Sequence, residues 1–141
     1  MKSQLALAVT LVIVGCASTD ERRHTNLMNN IEKEIQLPPG AAKISQYARA
    51  YKFDSHDRIT AFYFIPQNVD GFCQGAKRGG RTNGQIALAC PPPDGMKAGE
   101  RRWFDNDVYL PEVNDGGCNY IDVEYDLKTN AVTYAQCHGL A

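Results

Sequence analysis

Apolar residues follow three rhythms along this chain. The first is a mostly apolar run, Leu5 to Val14, behind a start with one positive charge, Met1-Lys2. It is too short to cross a bilayer as a helix, which takes about 20 apolar residues. The second is a spacing of four. Leu27, Ile31 and Ile35 recur at that interval with Met28 beside them, which predicts a helix from Thr25 to Gln36 with one apolar stripe. Thr25 or Asn26 supplies its cap. Asn29, Glu32 and Lys33 fall on the other side, and Pro38-Pro39-Gly40 forbids continuation. The third rhythm is alternation. Gln46–Phe53 and Arg58–Ile65 read as a hairpin about the turn formers Asp54-Ser55-His56-Asp57. The return strand is apolar on both faces, which predicts a central strand covered on both sides. Gln85–Cys90 and Arg101–Phe104 read as short strands. Asn119–Asp126 and Ala131–Cys137 form the clearest hairpin, with Ile121, Val123 and Tyr125 on one face and Asp122, Glu124 and Asp126 on the other. The sum is an α+β domain: an N-terminal helix on a small antiparallel sheet of about four or five strands.

The apolar run ends in Ile13-Val14-Gly15-Cys16, and Ala17-Ser18-Thr19-Asp20-Glu21 turns polar at once. A run of this length with one basic residue before it has the form of a secretory signal peptide, whose apolar core spans ~7–15 residues. Its ending resembles the lipobox of bacterial lipoproteins. The resemblance covers only this leader. It implies removal of residues 1–15 and lipid on Cys16. It further implies a lipidated tether over 16–24, one domain over 25–141, and a place in the bacterial cell envelope. Because Ala17 and Ser18, rather than an aspartate, follow Cys16, it also implies the outer membrane, facing the periplasm. His24 in the tether reads as solvated.

Charge narrows the partners. The chain of 141 residues has 15 Lys and Arg against 16 Asp and Glu, a formal charge of −1. Lys2 is the one charge in the leader, so its loss takes the mature chain to −2. That balance argues against nucleic acid, which asks for a basic surface. Adhesion to membrane is left to the lipid.

Cysteine usage fits export. Apart from Cys16 there are Cys73, Cys90, Cys118 and Cys137, an even number that reads as two disulfides. A zinc site is disfavoured, since metal knuckles place cysteines two to four residues apart and these are 17, 28 and 19 positions apart. Three connectivities exist. Folding the last hairpin about residues 127–130 brings Cys137 near Cys118, which favours Cys118–Cys137 and, by elimination, Cys73–Cys90.

No motif names a reaction or a cofactor. Asp54, His56 and Asp57 crowd one tight turn and converge poorly on a metal. Asp105-Asn106-Asp107 lacks the glycine and glutamate of a calcium loop. The segment 68–84 holds five glycines with Lys77, Arg78 and Arg81, a candidate anion contact without P-loop spacing. Cys137-His138 is discounted as a nucleophilic pair, because neighbours on a strand face opposite ways. Trp103, the one tryptophan, reads as a core anchor. Two functional classes remain. One is a non-catalytic binding or inhibitor-like envelope lipoprotein with a protein partner, which is preferred. The other is a small hydrolase using carboxylates from residues 105–124, such as Asp105, Asp107, Glu112, Asp115, Asp122 and Glu124.

Overall fold

The structure, a computed structural model, describes residues 18–66, 95–104, 110 and 115–139. Helix α1 spans Thr19–Glu34, six residues earlier than its apolar stripe suggested. The cause is local. Ser18 caps the helix by accepting from the Glu21 N–H at 3.2 Å, at the spacing of a capping box. Asp20 and Glu21 then lie in the first turn, where the helix dipole favours negative charge. Residues 19–24, expected as tether, are therefore helical. The helix closes on Ile35, whose N–H still reaches the Ile31 carbonyl.

After a short 3-10 turn at Ile44–Gln46 come β1 (Ala48–Phe53), β2 (Arg58–Phe64), β3 (Arg101–Trp103), β4 (Gly117–Asp126) and β5 (Ala131–His138). They form one sheet in the order β3-β1-β2-β4-β5. Both predicted hairpins are present. The sheet is mixed rather than purely antiparallel, because β3 pairs parallel with β1 through Arg49–Arg101 and Tyr51–Trp103. A parallel neighbour needs a long connection, and the chain from β1 to β3 supplies one that includes β2. The expected strand Gln85–Cys90 and the glycine-rich segment lie outside the described residues.

The sheet is apolar on both faces. On one, Met28 and Ile31 of α1 pack on Tyr47, Tyr51, Ile59, Ala61, Tyr63, Ile121, Val123 and Tyr125. On the other, Met96 is buried with Ala48, Ala50, Phe62 and Phe64, and Phe104, Leu110 and Tyr120 pack at the margin. Strand β2 is thus covered on both sides, as its composition required. Asn130 takes positive φ, 52°, in the β4–β5 turn. Cys118 and Cys137 are joined, with Cα atoms 4.5 Å apart. Cys137 sits opposite Ile121, and the bond reaches back across an irregularity between Gly117 and Ile121.

Candidate functional site

Three features of the described residues offer chemistry. The first lies between α1 and the sheet. Arg49 projects from the helix-facing side of β1 and is buried. Glu32 meets it, with 3.4 Å from Arg49 Nε to Glu32 Oε1, and Arg101 approaches the other carboxylate oxygen at 3.4 Å. The Tyr51 hydroxyl donates to Glu32 Oε1 at 2.7 Å and lies 3.0 Å from the Tyr63 hydroxyl. Arg101 also donates to Asn29 Oδ1 at 2.7 Å, and Arg49 to the Gly99 carbonyl at 2.8 Å. Asn29 and Glu32, expected on the solvent side of the helix, instead clamp it to β1 and β3. Burial pushes the Tyr51 hydroxyl far above the ordinary tyrosine range, and Tyr63 and the Glu32 carboxylate push the same way. Burial raises Tyr63 as well.

That pair sets an alkaline limit. Tyrosines of the unfolded chain release protons from about pH 10, while Tyr51 and Tyr63 hold theirs in the fold. The folded state then binds more protons, so stability is intact below pH ~10 and falls above it, by about 1.4 kcal/mol per pH unit for each tyrosine. Urea unfolding at pH 9 and pH 11 measures the slope. Tyr63→Phe should make it shallower, and an unchanged slope would exclude Tyr63 as a source.

The second feature is a groove of about 600 Å³ where the start of α1 overhangs β3, lined by Ser18, Glu21, His24, Arg101, Arg102 and Trp103 among others. His24 is not solvated. Its ring stacks on Trp103 with centroids 4.3 Å apart and planes 3° from parallel. Tyr51 lies parallel to the same indole at 6.4 Å, and Phe53 meets it edge-on at 4.9 Å. Trp103 is therefore half-buried among rings.

The third feature is β5. Among the described residues β4 is its only strand neighbour. Ala131–Cys137 holds no charge, proline or glycine. Thr133, Tyr134 and Gln136 are exposed, and Tyr134, at 41%, is the exposed large hydrophobic side chain among the described residues. Natural edges are ordinarily guarded by charge, proline or a bulge. Here the pairing with β4 is irregular at two places, between Glu124 and Tyr125 and between Gly117 and Ile121.

The residues singled out from sequence fare unevenly. Asp54 is engaged by Arg58, and Asp57 by Lys128 at 2.6 Å, so both hold turns. No group of three or more His, Cys, Asp or Glu suited to a metal occurs among the described residues. Asp122 pairs with His138 Nε2 at 2.7 Å, Glu124 lies 3.8 Å from Arg58, and Asp115 binds the Gly116 N–H. Cys16, Cys73, Cys90, Lys77, Arg78, Arg81, Asp105, Asp107 and Glu112 lie outside the described residues. The β5 edge was missed, although the absence of charge from 131 to 137 is plain in the sequence. No protein-family model, curated protein or solved structure matches this chain.

Proposed function

We propose that the chain is a non-catalytic binding module of the bacterial cell envelope. In this reading lipid on Cys16 holds it at the outer membrane on the periplasmic side, and Cys73–Cys90 forms the second disulfide. Support for the address comes from the leader ending in Ile13-Val14-Gly15-Cys16 and from the Cys118–Cys137 bond, which suits an oxidising compartment. The binding role is carried by one observation, the uncharged, exposed β5 edge. Its partner is an extended segment of another envelope protein, added as a sixth strand: backbone bonds supply affinity and alternate side chains supply selectivity. The described carboxylates of β4 are each tied to a separate structural contact, Asp122 to His138, Glu124 to Arg58 and Asp126 to the Lys128 and Thr129 N–H groups, rather than set as a paired acid and base.

Two variants test the reading. Cys16→Ser should abolish lipid attachment and leave the precursor uncut, seen by mass of the N-terminal peptide and by membrane fractionation. Normal maturation of that variant would end the lipoprotein reading. Tyr134→Lys with Gln136→Lys places charge on two exposed β5 positions. Site-specific cross-linking from β5 in intact cells should give a protein adduct that this double variant loses about tenfold, equivalent to 1.4 kcal/mol. Its unfolding midpoint should stay near that of the parent. Full retention of the adduct would remove β5 as the recognition element.

A further inference from the structure

We infer that the β3 edge of the domain faces the bilayer that holds its anchor, and that the β5 edge points away from it. The inference rests on the lipidation of Cys16 proposed above. Chain reach sets its first step. Only Ala17 separates Cys16 from Ser18, so the two Cα atoms are at most ~7 Å apart. Ser18 is itself fixed to the fold. It caps α1 and lines the same groove as Arg101, Arg102 and Trp103. Acyl chains on Cys16 therefore leave the molecule beside β3.

The second step is topological. Among the described residues β3 and β5 are opposite edges of the sheet, four strand spacings or ~19 Å apart. Helix α1 spans that width. It starts over β3, where His24 meets Trp103, and ends toward β5, where Glu34 and Gln36 share a hollow with Val132 and Tyr134. A long tether would average the orientation. A helix whose cap lies two residues after the lipid carries the β3 side toward the headgroups instead. The chemistry of that side suits the position. Half-buried Arg101 and Arg102 line the groove with Trp103, and exposed Arg22 and Arg23 lie near the start of α1, a combination that suits a headgroup layer. Asp20 and Glu21 offset part of the charge, so the lipid supplies the affinity and the helix the orientation. β5 is then presented to the periplasm, within reach of a partner.

Trp103 is the one tryptophan, which makes it a reporter. The full-length protein, matured in a bacterial host, is reconstituted in phosphatidylethanolamine–phosphatidylglycerol vesicles containing a dansyl-headgroup lipid. Energy transfer from Trp103 should be strong. In Trp103→Phe/Tyr134→Trp, the reporter sits on the β5 edge and transfer should be several-fold weaker. A second arm leaves the domain untouched and inserts 20 Gly and Ser residues between Ala17 and Ser18, a linker with a mean span of ~25 Å. Transfer from Trp103 should then also fall several-fold. Equal or stronger transfer from the β5 reporter, or no effect of the linker, overturns the orientation while leaving the anchor intact. If the protein fails to float with vesicles, the lipoprotein reading falls and the orientation falls with it.

Discussion

Glu32→Ala is expected to destabilise the domain by about 3–5 kcal/mol, the usual effect of removing one partner from a buried ion pair. At this chain size the unfolding midpoint should drop by ~10–20 °C. The magnitude follows from what is left behind. The Glu32 side chain is 19% exposed and the Arg49 side chain 8%. Without the carboxylate, Arg49 keeps, among the described residues, its bond to the Gly99 carbonyl, and the Tyr51 hydroxyl loses its acceptor at 2.7 Å. Arg101, at 31%, has more access to water and keeps Asn29. Glu32→Gln separates the two losses, since an amide still accepts from Tyr51 but does not neutralise the guanidinium. Glu32→Met with Arg49→Met should recover much of the stability, because an apolar pair leaves no buried charge unpaired. Thermal unfolding of the domain from Ser18 onward measures all three. A drop of under ~2 °C for Glu32→Ala would mean that Arg49 finds another partner or water, and that the clamp between α1 and β1 is not electrostatic.

This network marks where sequence reasoning stopped. The stripe Leu27, Ile31 and Ile35 located the helix, because burial of an apolar face leaves a periodic trace. Glu32 lies off that stripe and read as solvated. Its role depends on Arg49, a charged residue on the buried face of β1, and no local pattern links positions 17 residues apart. The helix start was legible in principle: Ser18 and Glu21 have capping-box spacing, but Arg22-Arg23-His24 broke the apolar pattern and drew the reading toward a tether. Period-two alternation sufficed for β1, β4 and β5, while β2 was legible as an apolar run after the Asp54–Asp57 turn. The three-residue β3 was visible as a segment, yet its parallel pairing with β1 was not, since partner choice is set by how the chain returns over the sheet. The Cys118–Cys137 bond was legible because hairpin register is local. His24 against Trp103 was not, because it needs α1 and β3 to be placed first.

Loss of the Cys118–Cys137 bond should lower stability by about 3 kcal/mol, the chain-entropy value for a loop of this size; the sequence separation is 19. For a domain with ~5–15 kcal/mol in total, the fold should survive while the midpoint falls by roughly 10 °C. The effect should be uneven. β5 has β4 as its strand neighbour, and the bond ties its last turn of pairing across the irregularity between Gly117 and Ile121. At the start of β4, the Tyr47 hydroxyl donates to the Cys118 carbonyl at 2.6 Å and accepts from the Ala42 N–H at 3.0 Å. That side should stay in place when the sulfurs separate, so fraying belongs to residues 135–138. Hydrogen exchange in Cys118→Ser/Cys137→Ser should accelerate there first, with β1 and β2 protected to nearly the global limit. Uniform acceleration across all strands would show that the bond acts on the unfolded chain alone, without holding the edge. Peptide mapping of the non-reduced protein provides the direct check: a Cys118–Cys137 peptide is expected, and a link from either of them to Cys73 would overturn the pairing on which the unevenness rests.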